Sequence, residues 1–595
     1  MIGIFKKFSR LQIIWTLLIL FVTIVRMILG SMVGNWLPIA MNYDDALLIE
    51  YSVLGEHYSN LHFINDLLKN MGFPYLVWFF HLFKIPYSIW IAILWSLSGL
   101  CIIKLIFLLS NSNRKYCYSI FFYTFILFYP AAFDVWVGTR VYRNAVLAPL
   151  YLSAFSLSIV SIFQILKNYP LRKIILNQFL FSIFFILSYF VKEDGVWLLL
   201  SFLCLIPICY LVYFIKNRFS VRNCLISSSV IFIPFLLFFS SLSLYKYANY
   251  HYFGLYSTTF RCDSEYSKFI NLLYKIDTPN NNPAIWASTD AIKSAILHSR
   301  TLSENHRLIE EIFRSPWRGG DLEANPVYGD FWGWILKDAV LLSQKFDNYS
   351  DVENFFGKVN SELQDEIEKE NLKVTNKIQL ISSMNARSYD EVLGLVPGTV
   401  EQFKIQLFFN EYVPGAVVVG DSLYEHTDFF EDLVKKSLKM LNTKNIQILM
   451  NQTDLMDVPT KNPLNNLLLF DFELYKIINT IVITFIILFP LFYIVKSICY
   501  STSFLEFCLF STYLGVICLC IVYAFSISWF CNFLGIKLWL KFYSSGIVSL
   551  YVIVSSISVV YVFDTLFFIL KKVNIRVIHS ESTQGPEKIN RECMN

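Results

Sequence analysis

The sequence predicts a mainly α-helical protein: a polytopic transmembrane bundle of about ten spans with a large extracytoplasmic soluble domain, mostly α with little β. Three observations carry that prediction. Of the 595 residues, 55% are hydrophobic and 16% charged, and the mean hydropathy is +0.51; a soluble chain carries about 25% charged residues. The apolar residues gather into stretches of roughly 20, the length that crosses a hydrocarbon core of about 30 Å. The basic residues, finally, fall on alternate connections between those stretches.

In chain order the spans are expected near 11–33, 87–110, 116–133, 144–166, 174–191, 196–215, 224–246, 474–495, 504–530 and 543–570. The first follows Lys6, Lys7 and Arg10. It is too long for a signal-peptide core and lacks a small-residue cleavage site, so it reads as a retained span. One set of connections holds Lys6/Lys7/Arg10, Arg114/Lys115, Lys167/Arg172/Lys173, Lys216/Arg218/Arg222, Lys496 and Lys571/Lys572/Arg576, without an acid among them. The positive-inside rule makes that side cytoplasmic, together with both termini.

The organisation that follows is a transmembrane module at 1–246 with seven spans and a first outer loop at 34–86. A soluble extracytoplasmic domain is expected at 247–473, three C-terminal spans at 474–572 and a cytoplasmic tail at 573–595. Within the first loop, Asn65–Phe83 carries Phe, Trp, Leu and Tyr and is interrupted by Pro74, which suits a helix lying in the membrane interface. Within the soluble domain, Asp351–Leu372 has Phe355, Val359 and Leu363 at helical spacing.

A formal charge of +4 is too small for a nucleic-acid binder. The chain has no P-loop, no Cys-x-x-Cys pair and no His-Glu-x-x-His run, which argues against an ATP-driven pump or a zincin-type site. Of 12 cysteines, Cys262 is the one that falls in the soluble domain, so no structural disulfide is expected there.

The polar residues of interest share the outer side. Asp44 and Asp45 follow the first span; adjacent carboxylates repel, so one is expected to stay ionised on donors or a metal while its neighbour is perturbed. A solvated loop or a helix cap is the plain alternative. Arg140 and Arg143 lie three apart at the mouth of the fourth span and suit a phosphate held by bidentate hydrogen bonds. The alternative is pairing with Asp134 or with lipid headgroups. Arg26 lies in the outer half of the first span, where a charge is costly unless it faces protein, water or an anion. Lys537 and Lys541 could act similarly, with snorkelling to the interface as the simpler account. Lys192, Glu193 and Asp194, with Gly195, make the tight turn between two spans; a polar turn is what any hairpin needs, yet these acids fall at the depth of the other clusters. In the soluble domain, Trp317–Trp334 mixes Trp, Gly and carboxylates in the manner of sugar-holding sites, and equally of core anchors.

With these residues assembled, the chain resembles the GT-C superfamily of membrane glycosyltransferases, which includes protein O-mannosyltransferases and aminoarabinose transferases. The likeness covers residues 1–250: a cytoplasmic N-terminus, Tyr43-Asp44-Asp45 soon after the first span, an interfacial helix, and Phe190–Trp197 (FVKEDGVW), similar to an element of bacterial members. The resemblance implies transfer of a sugar from a polyprenyl-phosphate donor to an extracytoplasmic glycan, lipid or protein acceptor. Asp44 or Asp45 would be the base or a metal ligand, and Arg140 and Arg143 would hold the phosphate. Lys192, Glu193 and Asp194 would bind or orient substrate, and Arg26 would contribute to binding. Family members differ in their use of a divalent metal, so that cofactor stays open. An envelope polysaccharide polymerase is the nearest alternative. A transporter or flippase would need more polar residues at mid-membrane depth. A membrane-anchored binding protein would not need these charges to converge. The Phe/Ile/Lys/Asn-rich composition points to a bacterial inner membrane.

Overall fold

The protein was examined as a computed structural model that describes residues 9–38, 45–53, 67–195, 197–199, 201, 221–279, 282–315, 326–415, 435–437, 439–442, 446–449, 463–500, 502–531 and 537–583. At Ala46, Asp194, 221–227, 229–231, 446–449, 537–539 and 573–583 it describes the backbone alone. The chain is mainly helical, and among the described residues seven helices are long and apolar enough to cross a membrane: Arg10–Met32, Tyr87–Leu109, Asn144–Leu166, Leu171–Val191, Pro463–Tyr500, Phe504–Cys531 and Leu540–Lys572. The first of them starts at a capping box, in which Ser9 Oγ accepts from Gln12 N and Gln12 Oε1 accepts from Ser9 N.

The three remaining expected spans fare differently. The segment expected at 116–133 is helical over Lys115–Leu127, 13 residues. At about 1.5 Å per residue that is roughly 20 Å, short of a bilayer core. The cause is Pro130, which removes an N–H and forces the preceding residue out of helical geometry, so the chain turns into a 3₁₀ turn at Pro130–Ala132. The 224–246 segment lies within a 33-residue helix, Val221–Phe253. Most of 196–215 lies outside the described residues.

Burial sorts the long helices. Every residue of Asn144–Leu166 is buried, which makes it the axis of the bundle. By contrast, Arg10–Met32 buries only Ile19, Arg26 and Gly30 and turns an apolar face outward. A helix apolar all round at the centre, with others apolar on their outer faces, is the pattern lipid imposes.

Among the described residues two large hydrophobic cores form, and they do not divide where the composition does. One is the bundle. The other gathers Phe253–Leu372 around Phe260, Tyr266, Phe356 and Trp332. In it, the helix Tyr349–Glu368 is capped by Asn348 and buries Val352, Phe356, Val359 and Leu363; Phe355 sits at the edge of that stripe. Helix Val396–Phe408, soluble by composition, belongs to the bundle instead. Ile405, Phe409 and Tyr412 pack in the bundle core, Gln402 Nε2 donates to Ala524 O at 2.8 Å, and Gln406 Nε2 donates to Lys541 O at 2.8 Å. The two glutamines place their buried amides on backbone carbonyls where helices meet.

One two-stranded parallel sheet joins distant parts of the chain: Asn35–Pro38 pairs with Ile446–Leu449, Asn35 opposite Ile446. Trp36 also bonds the 134–143 loop on its other edge, its N–H donating to Thr139 O at 3.2 Å and its carbonyl accepting from Val141 N at 2.9 Å. This strand sets the position of the site.

Candidate functional site

Arg140 is placed by that edge pairing and by Tyr87, whose hydroxyl donates to the Arg140 carbonyl at 3.2 Å. Its guanidinium then meets Asp45, the first residue of helix Asp45–Tyr51. Nε donates to Oδ1 at 2.7 Å and Nη2 to Oδ2 at 2.6 Å, a bidentate pair with 3% and 0% side-chain exposure. Trp36, Trp136, Tyr142 and Phe542 surround the guanidinium, their ring centroids 4.9–5.6 Å away. Fork geometry and flat rings offset the cost of taking both charges out of water.

Arg143 begins the central helix and turns to a different acid. Its Nη1 donates to Glu193 Oε2 at 2.5 Å and its Nη2 to Tyr142 Oη at 2.7 Å. Glu193 Oε1 accepts from Asn70 N at 2.9 Å. Burial by itself would raise the Glu193 carboxyl, but Arg143, then Lys69 and the Asn70 N–H, outweigh it and hold the group at about 2. Asn70 reaches Glu193 because Gly72 follows: a Cβ there would stand 2.3 Å from the Phe190 carbonyl carbon and oxygen. Only glycine lets this loop lie so close to the end of helix Leu171–Val191.

Of the residues singled out from sequence, Asp45, Arg140, Arg143 and Glu193 thus gather into two neighbouring ion pairs. Lys192 is buried near them with its Nζ 4.8 Å from the Tyr543 ring centroid. Asp44 lies outside the described residues, and of Asp194 only the backbone is described. Arg26 is not part of this cluster; it packs against Phe133, 4.4 Å to the ring centroid.

Two of the plainer alternatives also resolve. Asp134 does not pair with either arginine. It accepts from Lys541 Nζ at 2.9 Å and from the N–H groups of Trp136, Val137 and Val413, so Lys541 is a fully buried clamp rather than a snorkelling charge. The Lys537 side chain lies outside the described residues. Trp332 is a core anchor, its Nε1 donating to Ala287 O at 2.8 Å, whereas the Trp334 ring faces Lys69, Arg261 and Lys337 at 5.0–5.7 Å. Residues 316–325 lie outside the description.

Sequence reasoning missed Lys69, Asn70, Trp36 and Trp136, and it singled out Lys541 without its partner Asp134. A signal existed for the first two, because Lys69-Asn70 precede Gly72 and Pro74 in a loop already singled out. For the tryptophans there was none.

The described carboxylates of this cluster are engaged by donors. Both Asp45 oxygens are taken by Arg140, and both Glu193 oxygens by Arg143 and Asn70. Among the described residues no three His, Cys, Asp or Glu side chains gather as a ligand set.

The seven apolar helices make this a polytopic membrane protein in class. No family model, curated protein or solved structure matches the chain, so the particular function rests on the site itself.

Proposed function

We propose that the protein is a membrane glycosyltransferase that moves a sugar from a polyprenyl-phosphate donor to an acceptor glycan, lipid or protein on the extracytoplasmic face. The single observation that supports this reading is the convergence of segments distant in the chain, at Asp45, Arg140–Arg143 and Glu193, into two adjacent buried ion pairs. The reading takes the GT-C-like arrangement of ten crossings, the short helix Lys115–Leu127 with the turn after it counted as one, with both termini cytoplasmic, in a bacterial inner membrane. Residues 253–372 are then extracytoplasmic, and helix Gly72–Leu82 lies in the interface with Trp78, Phe79 and Leu82 outward.

In the reaction the acceptor hydroxyl oxygen bonds to the anomeric carbon and the bond from that carbon to the phosphate oxygen breaks. The electron pair leaves on the lipid phosphate and the hydroxyl proton passes to a base. Asp45, with both oxygens on Arg140, acts as a positioning residue; the base is then Asp44. Arg143 is the phosphate ligand, because its partner Glu193 is 20% exposed in its side chain and lies on the more open side. Lys192 adds charge beside it, and Asp194 belongs to the acceptor side.

The test is transfer of labelled sugar from polyprenyl-phosphate hexose and pentose donors by the full chain in vesicles. Asp44→Asn and Arg143→Lys, with folding checked by thermal unfolding, are expected to lose at least about a hundredfold in rate. Folded variants that keep the wild-type rate would sink the reading. A second reading, a membrane-anchored binding protein, is favoured by the pairing of both arginines with acids of the same chain; it gains if no lipid-linked donor is consumed.

A further inference from the structure

Residues 378–400 read as soluble by composition, yet Ile378, Leu380, Ile381, Leu393, Val396 and Val400 are 39–51% exposed. Single aliphatics at a surface need no account, but a run of them beside a membrane span does.

This segment is fastened to the last two turns of helix Phe504–Cys531. Arg387 Nη2 donates to Trp529 O at 2.9 Å, and Trp529 Nε1 donates to Asn385 O at 3.1 Å. Thr399 Oγ1 lies 3.2 Å from Ser528 Oγ, and Gln402 Nε2 donates to Ser528 Oγ at 2.6 Å as well as to Ala524 O. Gly398 permits the close approach, since a Cβ there would stand 3.2 Å from Ser528 Oγ. Helix Val396–Phe408 thus turns Thr399 and Gln402 to the span and leaves Val396 and Val400 on another face.

The depth follows from the span. Glu506, paired with Lys496, marks one boundary of its apolar run. About 20 residues further on, roughly 30 Å at 1.5 Å per residue, comes Ser526. Positions 524–529, where the segment docks, therefore stand at the opposite edge of the hydrocarbon. Ala524 is fully buried there, whereas Ile521, one turn before it on the same face, is 49% exposed. The span is covered where the segment docks and open one turn deeper, so the segment sits on the rim of a lipid-facing surface. Lys404 accompanies the aliphatics, its side chain 56% exposed and its Nζ 3.5 Å from Glu401; a long stem ending in a charge suits headgroup depth.

We propose that residues 378–400 are a membrane-interface anchor, whose open aliphatic side chains enter the leaflet at this end of the bundle between headgroups and acyl chains. The occupant is lipid, because these side chains stand at the hydrocarbon edge beside a span whose next turn faces lipid. The anchor is independent of any transferase activity.

Photolabelling of the full chain in lipid nanodiscs, with phosphatidylcholine carrying a diazirine in the upper part of its acyl chain, tests this. Peptides from 378–400 are expected to be labelled within about threefold of 514–522 in the span, and at least about tenfold above 361–371, a stretch rich in acids. Labelling of 378–400 at the level of 361–371 would overturn the proposal. So would a cross-link from this segment to a second copy of the chain in place of lipid. Val396→Asp combined with Val400→Asp, at two half-exposed positions, is expected to lower the labelling of 393–400 about tenfold and to leave that of 514–522 unchanged. Wild-type labelling of 393–400 in that variant would also overturn it.

Discussion

Arg140 and Arg143 lie three residues apart, each on a carboxylate, yet their surroundings differ. The Arg140–Asp45 pair is sealed by four aromatic rings and shows 3% and 0% side-chain exposure. The Arg143–Glu193 pair engages a single Nη, and Glu193 stays 20% exposed. A sealed bidentate pair fastens a strand, a helix and a loop together, and removing one partner strands the other charge in a dry site. A partly open pair can exchange its acid for another anion at lower cost. The comparison makes Arg140 the fastener and gives Arg143 the more exposed partner.

The largest effect should come from the sealed side. Asp45→Asn leaves Arg140 buried and uncompensated, and a loss of about 3–5 kcal/mol is expected. Unfolding followed by tryptophan fluorescence reads it, since Trp36 and Trp136 border the pair. Adding Arg140→Gln should recover part of the loss. Wild-type stability in the single variant would break the contrast.

Next is Gly72→Ala, whose methyl would collide with the Phe190 carbonyl at 2.3 Å. Overpacking of this kind costs about 1–3 kcal/mol, and it should pull the Asn70 N–H off Glu193. Hydrogen exchange at Asn70 would reveal this as faster exchange than in the wild type.

Glu193→Gln sharpens the comparison through pH. The folded carboxyl is held at about 2 against an ordinary 4.5, so the pairing stabilises the fold above about 4.5 and the gain disappears as pH falls towards 2. The Tm difference between wild type and Glu193→Gln should be constant from neutral pH to about 5, then shrink and vanish. A difference that grows on acidification would contradict the pairing.

Smallest is Glu304→Gln, at an i,i+4 surface pair with Arg300 whose side chains are 85% and 63% exposed. Its unfolding temperature should match the wild type.

Much of the fold could be read from the chain because lipid enforces it. An unbroken apolar run has few options in a bilayer, so Tyr87–Leu109, Asn144–Leu166 and Phe504–Cys531 fall within a residue or so of expectation. Where reading failed, a local effect outweighed composition. Pro130 ended a helix inside an apolar run, and Gln402 and Gln406 made a bundle helix look soluble. At the site, the types and neighbourhood of Asp45, Arg140, Arg143 and Glu193 were legible, because charges beside spans are expensive and therefore noticeable. Their partners were not. Asp134 was the obvious acid for the arginines by proximity in sequence, and it went to Lys541.

The sequence by itself determined that this chain is a helical membrane protein and which charged residues stand near one membrane face, because hydrophobicity and its interruptions are local properties. Tertiary structure alone decided which acid meets which arginine, that Asp134 meets Lys541, and that one strand at Asn35–Pro38 ties the loops together. Outcomes of this kind depend on contacts between distant segments, such as Arg114 and Asp564, 450 residues apart, and no periodicity or composition within a segment encodes where its neighbours will lie.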